Sequence, residues 1–388
     1  MTVEDILAKL VSYPVLGGES NMSIITWIKE YVESHGITTT LVPNNEGNKA
    51  SLHCRIGPQV DGGVILSGHT DVVPVKGQEW TTDPFKLTDK GDGKLYGRGS
   101  CDMKGFVACC LTALPNMVKA DLKKPIYFAF SYDEEIGCLA GSELAHAIKT
   151  HYTETPKYAI IGEPSLMEPI VGQKGIYILE TYVNGSAGHS SRIKQEVSAI
   201  HEAMRLILWL ENKMNQLIKD KRLDERFHPP HSSIHIGQVS GGIAPNVIAD
   251  KAHFYWDLRT IPMDKTETII NEFEAYCRER EQELRHIFPD FKINTIENHP
   301  PVIHLDTKET DDVVDLVKRI SGNSKLNTVA YGAEAGQFAA EGFQSAICGP
   351  GSIEQAHRAN EFIAKDELVK GMDMMKKLIS EMSSQNFK

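Results

Sequence analysis

The chain has 388 residues, of which 41% are hydrophobic and 24% are charged, a balance typical of globular proteins. This length predicts two domains of ordinary size, or one large domain with an insertion. The sequence has 41 Lys and Arg residues and 52 Asp and Glu residues, so its formal net charge is −11. We therefore expect neither a general nucleic-acid surface nor a basic patch for membrane binding.

The sequence shows no signal for export, membrane insertion or disulfide formation. The N-terminal segment MTVEDILAKLVSYP has acidic residues early and no long apolar core, unlike a secretory signal. No stretch approaches the roughly 18 apolar residues of a membrane span. The seven cysteines are odd in number and show no C-x-x-C spacing. We expect a cytoplasmic protein with reduced thiols and without a thiolate zinc site.

The first part of the chain predicts helices and buried strands in alternation. Thr2 is a suitable N-cap for the first helix, which Pro14 ends, and Gly36 ends the second helix. The predicted elements, in order, are helices at 3–11 and 21–34, strands at 38–42, 51–56 and 64–66, a helix at 104–119, and strands at 125–132 and 158–161.

The pattern changes near Gly175, where apolar and polar residues begin to alternate as in an antiparallel strand with one solvated face. The order of the predicted elements from here is β-α-β-β-α-β, the split βαβ or ferredoxin-like arrangement. After the first strand come a helix at 196–219, strands at 231–239 and 247–259, a helix at 266–286 and a strand at 291–296. We predict an inserted α+β domain at 177–298.

The last part again alternates helices with a buried strand, as the first part does, with a helix at 310–321, a strand at 345–348 and a helix at 365–382. A Gly/Ala-rich stretch covers 330–340. We predict an α/β protein in which residues 1–176 and 299–388 form one domain with a mixed sheet.

Acidic residues and a histidine directly follow three predicted buried strands, His357 comes shortly after the strand at 345–348, and one aspartate stands at the entrance of the helix at 104–119. The carboxyl ends of strands are where open α/β sheets place their ligands, so these residues are candidates for one site. The candidates are His69, Asp71, Asp102, Glu134, Glu135, Glu163 and His357.

Nitrogen and carboxylate donors without cysteine suit Zn²⁺, Mn²⁺ or Co²⁺. Two histidines and three carboxylates are enough for two metal ions if one carboxylate bridges them, and such a pair can activate a shared water. One acid must stay free of metal to move the proton from water to a leaving amine. Glu134 and Glu135 fit this division because neighbours in a loop can point in different directions.

Each candidate also has a plainer interpretation. His69 and Asp71 can form a polar cap at a strand end, Asp102 can be a helix N-cap, and Glu134 with Glu135 can be a solvated acidic turn. Other chemistries lack their motifs, since the sequence contains no complete dinucleotide fingerprint, no phosphate-binding G-x-x-x-x-G-K-[ST] and no G-x-S-x-G elbow. Ser190 beside His189 does not make a serine hydrolase, because sequence neighbours rarely have triad geometry.

The sequence resembles the M20 metallopeptidase family, which holds carboxypeptidases, aminoacylases and deacylases. The resemblance covers essentially the whole chain and implies a dinuclear zinc (or cobalt) amidohydrolase with a zinc-aminopeptidase-like catalytic domain. It also implies that the inserted domain is a lid that dimerises, and that the partner molecule is a small N-acyl amino acid. The motifs that carry it are GHTDVVP at 68–74, GRG at 97–99, DMKG at 102–105, DEE at 133–135 and GEP at 162–164.

Five metal ligands are implied by this resemblance. His69 and Glu163 would bind the first ion, Asp102 would bridge, and Glu135 and His357 would bind the second ion. A binding or scaffold protein that keeps the fold without catalysis is the alternative, although such a relative has no need of a base at position 134.

The resemblance also implies roles outside the ligand set. Glu134 would be the general base and then the general acid, and Asp71 would orient His69. In the lid, His189 would reach the partner subunit's site and polarise the scissile carbonyl, while Asn246 and Arg259 would bind substrate. A capping role for His189 and a surface charge for Arg259 are the alternatives.

The segment GPGSIEQAH at 349–357, with GAEAG at 332–336 before it, resembles the deacetylases of this family most closely. We add the hypothesis that Glu334 is the anionic partner of a substrate ammonium group. Cys101, directly before the proposed bridging Asp102, is an unusual residue at that position.

Overall fold

The computed structural model describes residues 1–385. Its α-helices are α1 (Val3–Val11), α2 (Met22–Glu33), α3 (Lys104–Lys119), α4 (Gly141–His151), α5 (Ala199–Lys219), α6 (Thr266–Leu284), α7 (Asp312–Ser321), α8 (Ala335–Ala340) and α9 (Lys365–Met382).

The strands of the first half of the chain are β1 (Thr39–Pro43), β2 (Ala50–Ile56), β3 (Val64–His69), β4 (Thr88–Asp89), β5 (Lys94–Tyr96), β6 (Ile126–Ser131), β7 (Tyr158–Pro164), β8 (Ile170–Gln173) and β9 (Gly175–Asn184). Those of the second half are β10 (Gly188–His189), β11 (Ser233–Gly241), β12 (Val247–Ile248), β13 (Lys251–Thr260), β14 (Lys292–Glu297), β15 (Leu305–Asp306), β16 (Asn327–Val329), β17 (Gln344–Gly349) and β18 (Phe362–Ala364).

The chain divides into two compact units. The first unit contains Met1–Gln173, Leu305–Thr328 and the residues from Ala333 onward, and the second contains Lys174–His304 and Val329–Gly332. The predicted inserted domain, 177–298, lies within the second unit, which also takes in residues that were predicted in the first domain, among them Val329–Gly332. The last three residues of the predicted range 299–388 lie outside the described residues.

A mixed sheet of nine strands forms the centre of the first unit within residues 1–385, in the order β1-β2-β6-β3-β7-β17-β8-β15 with β16 beside β8. The four strands β6, β3, β7 and β17 are parallel, whereas β1, β2, β8 and β15 pair antiparallel at the two sides. Every residue of β3, β6 and β7 is buried, as expected for parallel strands covered on both faces. The predicted α/β class with a mixed sheet is confirmed.

Local sequence signals account for several helices of this unit. The Thr2 side chain accepts a hydrogen bond from the Asp5 amide while the Asp5 carboxylate accepts one from the Thr2 amide, so α1 begins in a capping box. α3 follows the loop that carries Asp102, and its first two turns, residues 104–111, are buried. The helix α4 and the small sheet β18-β5-β4 were not predicted.

The second unit has the predicted ferredoxin-like topology. Its four-stranded antiparallel sheet has the order β11-β13-β9-β14, with α5 and α6 as the two helices of the β-α-β-β-α-β pattern. Its core includes Trp256 and Phe254 of β13 against Phe273 of α6. No helix in the described part of the chain is long and apolar enough to cross a membrane.

Candidate metal centre

The parallel strands of the first unit bring the strand-end residues to one edge of the sheet. His69, the last residue of β3, is in register with Ser131, the last residue of β6. Glu163 lies near the end of β7, which pairs with β3 on its other side. The loop that follows β6 then carries Glu134 and Glu135 to the same edge. The residues that follow different strands in the sequence therefore lie together in space.

Two groups of side chains come close enough to hold a metal ion, with ligand atoms within 4.8 Å of one another. The first is His69, Asp102 and Glu135, and the second is His69, Glu134 and Glu163. His357 completes the first group, since its Nε2 lies 2.9 Å from Glu135 Oε2 and 3.2 Å from Asp102 Oδ2.

All six of these side chains meet at one place. Asp102 lies between the two histidines, with Oδ1 3.3 Å from His69 Nε2 and Oδ2 near His357. This is the arrangement a bridging carboxylate needs. Which ion each of the other ligands binds remains a prediction, because Glu134 shares a group with His69 and Glu163.

Hydrogen bonding fixes the orientation of the His69 ring. Its Nδ1 lies 3.0 Å from the main-chain oxygen of Asp71, and a carbonyl oxygen can only accept, so Nδ1 carries the hydrogen. Nε2 then faces Asp102 at 3.3 Å and is the ring nitrogen that would bind a metal ion. The ring is buried, so neighbouring groups fix its orientation.

Asp71 supports the cluster in a way the sequence did not predict. Its carboxylate lies 3.7 Å from His69 Nδ1, so the main-chain carbonyl is the nearer partner of that ring. The two carboxylate oxygens instead accept hydrogen bonds of 3.2 Å from the amides of Glu134 and Glu135. Asp71 therefore fixes the main chain that presents both glutamates.

Glu134 faces His69 at 4.0 Å and accepts a hydrogen bond of 3.2 Å from the Cys138 thiol. Burial raises the pKa of Glu134 to about 8, and the charges of Glu135 and Glu334 add to the effect of burial. Cys138 was missed in the sequence because a lone buried cysteine carries no motif.

Burial and neighbouring charges also shift the pKa values of the other carboxylates. Burial and the charge of Glu134 raise the pKa of Glu163 well above its usual range, and burial and Asp102 raise that of Glu135. Asp102 behaves differently, because the hydrogen bonds from His357 and His69 outweigh its burial and lower its pKa. Correspondingly, the hydrogen bond to Asp102 raises the pKa of His357 to about 10.

Backbone conformation is also unusual around this cluster. Asp133, Cys138 and His357 have positive φ angles of 54°, 54° and 63°, which residues other than glycine rarely adopt. Such conformations concentrate at functional sites, where surrounding contacts hold them in place.

The donor set fits divalent cations. Four carboxylates converge with two histidines, and no lysine or arginine forms an ion pair with these carboxylates in the described residues. Glu135 Oε1 is buried and has no hydrogen-bond partner there, so it is an open ligand position. Oxygen and nitrogen donors with excess negative charge suit zinc or a similar cation.

The structure also argues against the structural alternatives for these residues, which were a helix N-cap, a solvated acidic turn and a polar strand cap. The α3 N-terminus has no side-chain cap, so Asp102 is not its N-cap. The side chains of Glu134 and Glu135 are 11% and 4% exposed, which excludes a solvated acidic turn. His69 and Asp71 are buried, which a surface polar cap would not be.

The predicted substrate residues of the second unit lie on its strands and loops. His189 is in β10, and its Nδ1 contacts Ser191 Oγ at 2.8 Å and accepts from the Ser191 amide. Asn246 is close by, since its carbonyl accepts from the Ser190 amide. Arg259, in β13, donates to Asp257 and to the carbonyl of Ala330. The contacts of His189 match the capping alternative, and its catalytic role remains a prediction.

Glu334, in the first unit, is buried beside the metal-ligand cluster. Its Oε2 accepts a 3.5 Å hydrogen bond from Ser67 Oγ, and its Oε1 has no partner among the described residues. Burial raises its pKa to about 7. Its proposed contact with a substrate ammonium remains a prediction.

The fold and this site define a class of hydrolase. The family profile described as Peptidase family M20/M25/M40 matches residues 65–381, and the chain belongs to this family. The resemblance predicted from the sequence motifs is thereby confirmed.

Individual relatives extend this assignment. The chain is 33% identical over 356 residues to a protein of Shigella sonnei (strain Ss046) named acetylornithine deacetylase, covering 89% of this chain and 87% of that protein. The fold is similar to that of a tripeptidase from Staphylococcus aureus, with a TM-score of 0.76 and 19% identity over 99% and 98% of the two chains. It is also similar to a dinuclear metal-binding M20 peptidase from Bacillus subtilis, with a TM-score of 0.64 and 17% identity over 97% and 96%.

Proposed function

We propose that this protein is a metal-dependent amidohydrolase that removes the acetyl group from N2-acetyl-L-ornithine, giving L-ornithine and acetate. The observation that carries the proposal is the carboxylate and histidine cluster at the ends of β3, β6 and β7. The 33% identity to a protein named acetylornithine deacetylase supports the choice of substrate.

The proposal assigns two Zn²⁺ ions per subunit, with Co²⁺ as an alternative, to His69, Asp102, Glu135, Glu163 and His357. When bound, such ions supply Lewis-acid polarisation of the amide carbonyl and activation of water.

Glu134 is the proposed proton carrier. Its carboxylate takes a proton from the attacking water, whose oxygen becomes part of acetate. The same group then gives a proton to the leaving nitrogen as the carbon–nitrogen bond breaks, which releases the amine of ornithine. The position of Glu134 favours this role, because its carboxylate faces His69 at 4.0 Å beside the proposed metal ligands. Asp71 keeps the carrier in place through the amide of Glu134.

Substrate recognition is proposed for four further residues. Arg259 would contact the substrate carboxylate in a two-pronged manner, and Asn246 would assist it. Glu334 would bind the ammonium group of the ornithine side chain, and His189 of a partner subunit would polarise the scissile carbonyl. If Glu334 has this role, then Glu334→Gln raises the KM for acetylornithine. An unchanged KM would exclude it.

The proposal further places the protein in the cytoplasm, in arginine biosynthesis, as a homodimer formed through residues 177–298. Seven buried, unpaired cysteines agree with a reducing compartment. Light scattering behind a sizing column distinguishes one 43.1 kDa chain from two.

A panel of amides tests the proposed reaction. Purified protein is assayed with N2-acetylornithine, N-succinyl-diaminopimelate, another N-acetyl amino acid and a dipeptide, each with a chelator and with added zinc or cobalt. We expect acetylornithine to give the highest kcat/KM and the chelator to abolish turnover.

Two results would contradict the proposal. Cleavage of another amide without acetylornithine would point to a different hydrolase of the family, such as a desuccinylase, an aminoacylase or a dipeptidase. No bound metal and no hydrolysis after metal addition would favour a non-catalytic binding protein with this fold.

A further inference from the structure

Two sequence motifs remain without a role in the proposed reaction. These are Gly97-Arg98-Gly99, shortly before Asp102, and Asn360-Glu361, shortly after His357. Arg98 and Glu361 meet in the first unit, where Nη1 of the arginine lies 2.7 Å from Oε2 of the glutamate. Both side chains are fully buried, so this is an interior ion pair.

The Glu361 carboxylate is the central acceptor of the loop before α3. Besides the arginine, its oxygens accept hydrogen bonds from the amides of Gly99 at 3.0 Å, Cys101 at 2.9 Å and Asp102 at 3.1 Å. One carboxylate therefore fixes the main chain that presents the proposed bridging ligand.

Arg98 holds the other side of the same site. Its Nη1 also lies 3.3 Å from the carbonyl of Arg358, and its Nη2 donates to Gln78 Oε1 at 2.6 Å. The amide of that glutamine side chain in turn donates to the carbonyl of His357 at 2.8 Å. His357 has a left-handed backbone with φ of 63°, a conformation that such contacts hold in place.

We infer that the Arg98–Glu361 ion pair is the positioning unit of the metal centre, which holds Asp102 and His357 at the separation that metal binding needs. The two ligands are far apart in sequence, yet their side chains lie 3.2 Å from each other. The pair joins the two loops that carry them. The inference rests on the metal site of the proposed function and adds residues that touch neither metal nor substrate.

Physical reasons favour this role over simple stability. A buried ion pair costs desolvation and is weak evidence for stabilisation, whereas loss of one partner leaves an uncompensated charge. Groups that orient metal ligands typically change metal affinity by 10–100-fold when they are replaced.

Zinc affinity of the full-length protein tests the inference. Metal-free wild type, Glu361→Gln and Arg98→Lys are titrated with zinc in competition with a chromophoric chelator. Glu361→Gln keeps the size of the side chain, but its NH₂ group must face amide or guanidinium donors. We expect its zinc affinity to fall by about 10–100-fold. Arg98→Lys keeps the positive charge but loses the planar guanidinium group that donates from two nitrogens, so we expect a smaller loss of zinc affinity.

A matched control separates positioning from general destabilisation. Glu154 is a buried carboxylate of the same unit that pairs with Arg55 at 2.7 Å, and Glu154→Gln removes that charge without touching the metal loops. We expect Glu154→Gln to lower the melting temperature of the metal-free protein while its zinc affinity stays within about twofold of wild type.

The outcomes distinguish this inference from the proposed function. Wild-type protein that binds no zinc would overturn both. Zinc binding by wild type with equal affinity in Glu361→Gln would overturn the inference alone, as would equal losses in Glu361→Gln and Glu154→Gln. If Glu361→Gln does not fold, an unchanged zinc affinity in Arg98→Lys would overturn it. Failure to cleave acetylornithine does not affect the zinc titration.

Discussion

Glu134 and Glu135 are adjacent in sequence, but their carboxylates have different partners. Glu134 faces His69 and accepts from the Cys138 thiol, while Glu135 contacts His357 at 2.9 Å. Asp71 makes this division possible because it binds one amide from each glutamate. The environment therefore gives two identical side chains different chemistry.

Glu134→Gln should reduce kcat for the substrate that wild type hydrolyses by about 10²–10⁴-fold. The reason is that the glutamine side chain cannot accept a proton and pass it on. Its metal content should stay close to that of wild type. His357→Ala should lose metal, since it removes a donor next to Asp102 and Glu135. Metal analysis with kinetics on both variants checks this. Equal metal loss in both would mean that Glu134 is itself a ligand.

His53 is a buried residue whose effect appears in the pH dependence of stability. Burial, and then the nearby His151, lower the pKa of His53 to about 4, so the folded protein binds its proton less readily than the unfolded chain. Between pH 6.5 and 4 the unfolded state therefore binds more protons, and stability falls as the pH falls.

His53→Asn should weaken this pH dependence. From the shift in pKa, the loss of stability between pH 7 and 5 should be smaller than in wild type by about 2 kcal/mol. Urea unfolding of metal-free protein at both pH values measures it. His235→Asn, at an exposed position, is the control and should keep the wild-type pH dependence. The same slope in His53→Asn as in wild type would contradict the assignment.

Among the elements, those with strong local signals were predictable from sequence. The bounds predicted for α1, α3 and α9 agree with the structure because all three have many apolar residues that become buried, and α1 also begins in a capping box. The helix α4 was missed because its buried apolar side chains, Leu144, Ala145 and Ile148, form a short stripe with a weak helical period. β4, β5 and β18 have only two or three residues, too few to show a period of two.

The candidate site could be predicted only in part. Its ligands follow buried strands, and parallel strands end at the same edge, so local patterns were sufficient to collect them. The contacts that support them were not visible in this way. Glu361 reaches Asp102 across 259 residues of sequence, and no periodicity records such a contact. Asp71 was expected to orient His69, and its main-chain oxygen lies 3.0 Å from His69 Nδ1, nearer than its carboxylate at 3.7 Å.

The packing of β7 against α3 depends on Gly162, directly before Glu163. A Cβ at this position would lie 2.0 Å from Cγ of Phe106, a residue of α3. A methyl group there must push the strand and helix apart, and such overpacking typically costs about 1–3 kcal/mol.

Gly162→Ala should therefore lower the free energy of unfolding by about 1–3 kcal/mol or more and also weaken zinc binding, because Glu163 moves with the strand. Gly237→Ala adds the same atom to β11, where the nearest atom is 3.9 Å away, and should change stability by less than about 0.5 kcal/mol. Urea unfolding of both metal-free variants compares them. Similar unfolding energies for the two would show that α3 accommodates the methyl group.

The whole molecule consists of two units with separate cores. The proposed metal ligands all belong to the first unit, while the second unit has its own sheet and its own cluster of buried side chains around Trp256 and Phe273. A ligand that binds only the folded state stabilises the part that holds it. The units should therefore respond differently to metal.

Removal of metal should lower the stability of the first unit selectively. Without cations, the buried carboxylates around His69 repel one another, and zinc at about 100 times its Kd stabilises the folded state by about 2.7 kcal/mol per site. Hydrogen exchange with mass spectrometry, with zinc and after chelation, measures this unit by unit. Peptides from β3, β6 and β7 should exchange about 100-fold faster for each zinc ion removed, if their exchange requires unfolding of the whole unit. Peptides from β9 and β13 serve as the internal control and should keep their rates, and an equal acceleration there would mean that the two units unfold together.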